Sequence, residues 1–350
     1  MTRALQEISF LEKEKWNQLV RSFEDYEVFY LNEYVSAFAE ESMENGEPVL
    51  LYYEYNKDRA INVLFKRDIS KTDCFSNLLQ QEQFYDLISP YGYGGFRGHV
   101  KDWKQLFSVY HDYCKNKNYV CEFVRFDLFG ECRLYYEGSV ETKTRNVVRD
   151  LTPSYDEIWK DFKPKVRKNV RKALSSQLEF FWDQGICYLD DFLRIYYMTM
   201  ERTEAKKIFY FRRDFFEKIL SMKENAALFH IFYQGRVIST ELVLCGSENC
   251  YSFLGGTDNA YFSLRPNDYL KVEIIKWAKQ QGYHRFILGG GYGSDDGIFR
   301  YKQAFAPNGI VDFYIGKRIF RGIEYDKLVR MRRESDNNYL NNDFFPAYRV

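Results

Sequence analysis

The sequence predicts a mixed α/β protein in which one unit is used twice. Three pairs of segments, repeated in the same order, carry that prediction. Residues 48–67 (PVLLYYEYNKDRAINVLFKR) and 226–245 (AALFHIFYQGRVISTELVLC) each hold two apolar, β-branched and aromatic runs around a short polar turn. That is the pattern of a β-hairpin. Residues 91–95 (YGYGG) and 253–257 (FLGGT) form the second pair. The third ends YCKNKNYVCEFVRF in the first half and WAKQQGYHRFILG in the second. Each member reads as an amphipathic helix, a break at Asn118-Tyr119 or Gly282-Tyr283, and a strand.

The repeated unit is therefore hairpin, strand, helix, strand. A strand that returns through a helix to a neighbouring strand requires a parallel pair and a right-handed crossover. Mixed sheets with helices on their faces follow. The second copy continues with a helical stretch at 296–306, a turn at Pro307-Asn308-Gly309 and a strand in IVDFYIGKRIF. We expect a first lobe at 1–150, a second at 151–335, and a polar tail at 336–350 whose aromatics can dock.

Composition narrows the function classes. With 350 residues the chain is long enough for two domains. Lys plus Arg equals Asp plus Glu at 50 each, so the surface as a whole is not that of a general nucleic-acid binder. No apolar run reaches membrane-span length, and the N-terminal MTRALQEISFLEKEKW lacks a signal-peptide core, which points to the cytoplasm. The seven cysteines show no zinc spacing and the four histidines no triad context. Reduced thiols, no metal and no Cys-His or Ser-His nucleophile are expected.

Five blocks carry a resemblance: LISPYGYGG at 87–95, WKDFKPKVRKNVRKA at 159–173, YYMTMERTEA at 196–205, FLGGTDNAYFSLRPNDYLKVEIIKWAKQQGY at 253–283, and LGGGYGSDDGIFRYKQAFAPNG at 288–309. In these residues the chain resembles the FemABX family and its relatives, the double-GNAT proteins with a BioF2-like acetyltransferase domain. The resemblance implies two tandem GNAT-like lobes of the acyl-CoA N-acyltransferase fold. It also implies transfer of an aminoacyl group from aminoacyl-tRNA to an amine of a peptidoglycan precursor, lipid-linked or UDP-linked. Two features depart from the family. There is no inserted helical hairpin in the second lobe. The stretch FYLNEYVSAF also lacks the lysine that contacts nucleotide-linked precursors in some members.

Acyl transfer to an amine passes through an oxyanion, which a fixed cation or N–H donors stabilise. Tyr301-Lys302 matches the family's aromatic-lysine pair at the transfer centre. Lys302 would hold the carbonyl oxygen or a terminal phosphate, and Tyr301 would orient the donor. Arg202 matches the acceptor-binding helix, where an arginine suits a phosphate or carboxylate. In acetyltransferases the CoA pyrophosphate rests on N–H groups where the main helix starts. The matching residues here are Arg265-Pro266-Asn267-Asp268-Tyr269, with Asn267 or Asp268 as cap, no small glycine pair, and an acid that opposes phosphate.

Within 159–173, a helix starting at Pro164 places Val166, Val170 and Leu174 inward. Arg167 and Arg171 then share an outward basic face fit for phosphates of tRNA or of a membrane-borne precursor. Tyr251, Tyr91 and Tyr93 are expected to line a cleft. Gly289-Gly290-Gly291 allows close backbone approach. Asp295 and Asp296 precede the Lys302 helix, and Asp296 serves as its cap or as a base for the amine. No tightly bound cofactor is expected; the donor is aminoacyl-tRNA or acyl-CoA. The alternatives are a CoA-dependent N-acyltransferase on a small amine or sugar amine, and a non-catalytic scaffold that binds precursors, with peripheral contact to a membrane surface.

Overall fold

The computed structural model describes residues 5–41, 46–291, 296–335 and 344–349. The chain opens with β1 (Leu5–Ser9), α1 (Lys13–Arg21) and α2 (Asn32–Glu40). The first hairpin is β2 (Glu47–Tyr55) with β3 (Asp58–Asp68). Next come β4 (Tyr85–Ile88), β5 (Arg97–His99), α3 (Trp103–Asn116), β6 (Tyr119–Arg125) and β7 (Ser139–Asp150). The second half begins with α4 (Tyr155–Asp161), α5 (Pro164–Ser175), β8 (Glu179–Asp183), α6 (Leu189–Arg202) and α7 (Arg213–Leu220). The second hairpin is β9 (Ala226–Tyr233) with β10 (Arg236–Cys245). It leads to β11 (Asn249–Thr257), α8 (Pro266–Gln280), β12 (Arg285–Gly289) and α9 (Gly297–Gln303). The chain ends with β13 (Ile310–Ile319) and α10 (Gly322–Ser335).

Local chemistry explains where the repeated elements break. The hairpin turns place Asn56, Gln234 and Gly235 at positive φ, as tight turns between twisted strands require. Asn118 and Gly282 are also left-handed, which ends α3 and α8 and redirects the chain into a strand. Both expected parallel pairs are present. Ile88 of β4 lies opposite Phe123 of β6, and Tyr251 of β11 opposite Ile287 of β12.

The chain divides into two compact units. The first comprises Met1–Phe23, Phe29–Lys143 and Phe313–Val350, and the second Glu24–Val28 and Thr144–Asp312. Strands in the first unit run β1-β2-β3-β4-β6-β13, with β5 on β3. In the second they run β7-β12-β11-β10-β9-β8. The core of the first unit gathers Leu64, Phe96, Phe107 and Tyr110 against α3. That of the second gathers Phe229, Leu270, Ile274 and Phe286 against α8. The end of the chain packs in the first unit. Tyr348 is fully buried there, and its hydroxyl donates to Asp86 Oδ2 at 2.9 Å. Of the expected tail, residues 336–343 and 350 lie outside the described residues, as does Asp295.

One helix departs from expectation. α5 starts at Pro164, and Val166 and Val170 are buried, but the third buried position is Ala173. Leu174 is 54% exposed. At about 100° per residue, position 173 returns to within about 20° of Val166, whereas 174 overshoots by about 80°.

Candidate active site

Strand pairing opens a cavity in the second unit. β11 pairs with β12 from Asn249 to Tyr251 and then runs on along β10. A register shift opposite Leu242 and Val243 leaves Phe253 as an extra residue in β11. A bulge at this point bends the strand away from a regular ladder. Residues 252–257 line a cavity of about 990 Å³. The start of α8, the end of α6, the start of α5, and α9 complete the wall.

α9 brings Tyr301 and Lys302 to the cavity wall. Asp296 accepts from the Phe299 N–H at 2.7 Å and so caps the helix, the first of the two roles expected of it. A Cβ on Gly291 would stand 2.3 Å from Asp296 Oδ1, so only glycine admits that cap. Lys302 Nζ donates to the Gly290 carbonyl at 2.6 Å. Burial, and next the charge of Lys271, push its pKa down to about 8, against the opposing pull of Glu241 and Asp296. The adjacent Tyr301 ring packs edge-on against Phe305, with centroids 5.2 Å apart. Its hydroxyl is sealed from water and has no hydrogen-bond partner among the described residues. Burial holds that phenol well above its ordinary pKa.

The α8 entrance differs from a simple side-chain cap. Arg265 is the N-cap residue, in a left-handed conformation, Pro266 follows it, and no side chain caps the helix. Neither Asn267 nor Asp268 takes that role. Asp268 instead accepts from Asn169 Nδ2 at 3.0 Å, and burial raises its carboxyl pKa. Both Asn267 and Asp268 line the cavity. Arg202 lines it too, and does not pair with Glu201 or Glu204. Its guanidinium donates to the Thr257 carbonyl at 3.0 Å and lies over the Phe262 ring, 5.1 Å from the centroid.

Other candidate residues sit elsewhere. Tyr251 and Tyr269 are buried in the second unit and do not line the cavity. Arg167 turns back to donate to the carbonyls of Lys160, at 2.7 Å, and of Phe162, which leaves it off the outward face. Arg171 is exposed on α5 and outside the cavity wall. Tyr91 and Tyr93 belong to the first unit, where Tyr91 stacks on Phe38 and Tyr93 packs against Phe29 and Phe313.

Three cavity residues escaped the sequence reading. Lys271 of α8 donates to both oxygens of Glu241 of β10 at 2.5 Å and to Ser252 Oγ of β11 at 2.9 Å. Lys271 and Glu241 are each 5% exposed. A lysine among the buried apolar positions of Tyr269–Ile275 was the available signal. Around these groups the wall is strongly basic. Among the described lining residues, Lys163, Lys165, Arg202, Arg265, Lys271, Arg300 and Lys302 stand against two carboxylates, Glu241 and Asp268. Such a cavity suits an anionic ligand.

Residues 160–303 match the family model described as an acetyltransferase (GNAT) domain. The chain has the two-lobed GNAT fold of FemX-like proteins. The FemX crystal structure aligns at TM-score 0.68 and 13% identity, covering 92% of this chain and 99% of that one. L-PGS from Bacillus licheniformis aligns at TM-score 0.58 and 13% identity, covering 92% and 96%. The C-terminal domain of a candidate lysylphosphatidylglycerol synthetase from Agrobacterium fabrum aligns at 0.54 and 12%, covering 89% and 94%. No curated protein matches the chain by sequence.

Proposed function

We propose that the protein transfers an aminoacyl group from aminoacyl-tRNA to an amine of a peptidoglycan precursor. The observation that carries this reading is the half-buried Lys302 ammonium in a cavity whose charged lining residues are mostly cationic. The amine attacks the ester carbonyl carbon, and the carbonyl oxygen becomes an oxyanion. Lys302, still protonated at neutral pH, faces that charge. The C–O bond to the ribose then breaks. The proton lost by the amine balances the one gained by the departing hydroxyl. The protein's main contributions are positioning and charge stabilisation.

Two features favour an RNA-borne donor over acyl-CoA. Pro266 removes an N–H from the start of α8, and Asp268 adds a carboxyl there, so the helix start is a poor seat for a pyrophosphate. Beside it, Lys160, Lys163, Lys165, Lys168, Arg171 and Lys172 make no ion pair among the described residues. The one acid in that run, Asp161, is held by Arg149 at 2.6 Å. Unpaired cations along a helix suit a phosphate backbone. The acceptor can be lipid-linked or UDP-linked, and a lipid-linked one would bring the protein to a membrane surface. Among the described residues no helix is long and apolar enough to cross a membrane.

A second reading, CoA-dependent acylation of a small amine or sugar amine, is favoured by the acetyltransferase description of residues 160–303. One assay separates the two. Mixed aminoacyl-tRNAs and acyl-CoAs are offered with lipid-linked and UDP-linked precursors, and products are read by mass. An aminoacylated precursor is expected. Acylation from CoA alone would replace this reading with the second, and in vivo function retained by Lys302→Ala would point to a scaffold.

A further inference from the structure

Glu241, Lys271 and Ser252 form a short hydrogen-bonded chain that ends at the cavity. The Lys271 ammonium has three N–H donors. Two go to the oxygens of Glu241 at 2.5 Å and the third to Ser252 Oγ at 2.9 Å. Ser252 is therefore an acceptor in this chain, and its own O–H has no acceptor among the described residues. The side chain is half-buried and lines the cavity together with Lys302. A hydroxyl that accepts from an ammonium is a better donor, because the bonds polarise one another. It is also a poor nucleophile, since a protonated lysine cannot remove its proton.

A structural tie between β10, β11 and α8 does not require this arrangement. Taking two charges out of water is costly, and apolar packing often holds elements together as well or better. The charge pair instead fixes the direction of one hydroxyl, whose remaining donor has no acceptor among the described residues.

We propose that Ser252 donates its O–H to the acyl carbonyl oxygen as that oxygen becomes an oxyanion, with Lys271 and Glu241 as positioning residues. This rests on the acyl-transfer reading of the cavity. As the amine forms its bond to carbon, the carbonyl π pair moves onto oxygen, where Ser252 and Lys302 meet it. The pair returns when the ester C–O bond breaks, and Ser252 keeps its proton throughout.

The test uses the full chain with alanyl-, glycyl- and seryl-tRNA as donors and a lipid-linked pentapeptide precursor as acceptor. Ser252→Ala is expected to lose roughly 100-fold in kcat with KM unchanged, the effect of removing one oxyanion donor. Ser252→Thr, which keeps the hydroxyl, is expected to recover most of that rate. Equal thermal midpoints for the native protein and both variants would show that the fold is intact. A kcat for Ser252→Ala within about twofold of native, or a loss confined to KM, overturns the inference. If that happens while Lys302→Ala is inactive, only the Ser252 role fails. If the native protein itself transfers nothing, the reading of the cavity fails with it.

Discussion

Lys302→Met separates the cost of a buried ammonium from its use. Burial, and after it the Lys271 charge, lower the Lys302 pKa from 10.5 to about 8. Each unit is about 1.4 kcal/mol. Keeping the ammonium protonated in the cavity wall therefore destabilises the native state by about 3 kcal/mol at neutral pH. Methionine keeps a similar length and carries no charge, but forfeits the hydrogen bond to Gly290, about 1 kcal/mol. The variant should be more stable than the native protein by about 2 kcal/mol at pH 7. The sign reverses with pH. Because the folded pKa lies below the unfolded one, the unfolded chain binds more protons between about 8 and 10.5, and native stability rises across that window. The advantage of methionine should shrink through it and become a small deficit above it. Urea unfolding of both proteins at neutral pH and above the window measures the change, and the same variant should show no transfer. A methionine variant less stable than native at pH 7, or a difference that does not vary with pH, would refute the burial argument.

Three further outcomes are expected. Glu241→Leu strands the Lys271 ammonium and should destabilise by about 3–5 kcal/mol, while the double change Glu241→Leu with Lys271→Met should recover most of the loss in thermal denaturation; additive losses would contradict the pairing. Arg349→Ala should raise the pH of acid unfolding, followed by tryptophan fluorescence. Burial alone would raise the Asp86 carboxyl pKa, but Arg67 and Arg349 hold it below its ordinary value, so its stabilisation is present at neutral pH and lost as pH falls through that lowered value. An unchanged acid midpoint would count against it. Replacing Lys168, Arg171 and Lys172 together with glutamine should flatten the salt dependence of tRNA binding by about 2 in the log–log slope, read by fluorescence anisotropy. An unchanged slope would remove α5 from the RNA path.

Local rules made the repeated scaffold legible. Apolar, β-branched and aromatic runs around Asn56 and Gly235 announce hairpins, and left-handed Asn118 and Gly282 announce the ends of helices. Asp296 was readable as a cap because the short polar side chain sits one residue before an apolar-periodic helix. What depends on long-range pairing was not legible. Glu241 and Lys271 meet only after β10, β11 and α8 have formed, and nothing local to either residue names its partner. Pro266 was visible, but not that Arg265 would turn left-handed before it and free Asp268 to meet Asn169. Tyr348 could be called a docking aromatic, yet its hydroxyl partner Asp86 lies far back in the chain. Arg167 and Arg171 share a helical face by spacing, but the free carbonyls at the end of α4 capture Arg167.

The repeat supplies an internal control for what the fold itself demands. Phe229 and Leu51 each stand four residues before the end of the first hairpin strand, at Tyr233 and Tyr55. Glu241 lies opposite Phe229 in the second unit, and Asn62 lies opposite Leu51 in the first. Lys271 and Phe107 likewise stand ten residues before their helix C-caps, Gln281 and Lys117. Where the second unit buries a carboxylate and an ammonium, the first buries an amide and a phenyl ring. The same hairpin and crossing helix therefore pack without an ion pair, as expected if apolar contacts hold the layers together. A charge pair retained in only one copy, at considerable desolvation cost, is better explained by what it does at the cavity wall than by support of the sheet. That asymmetry supports the proposal that the chemistry lies in the second unit, and it gives the Ser252 test its meaning. An effect on rate without an effect on stability is what a pair dispensable to the fold should produce.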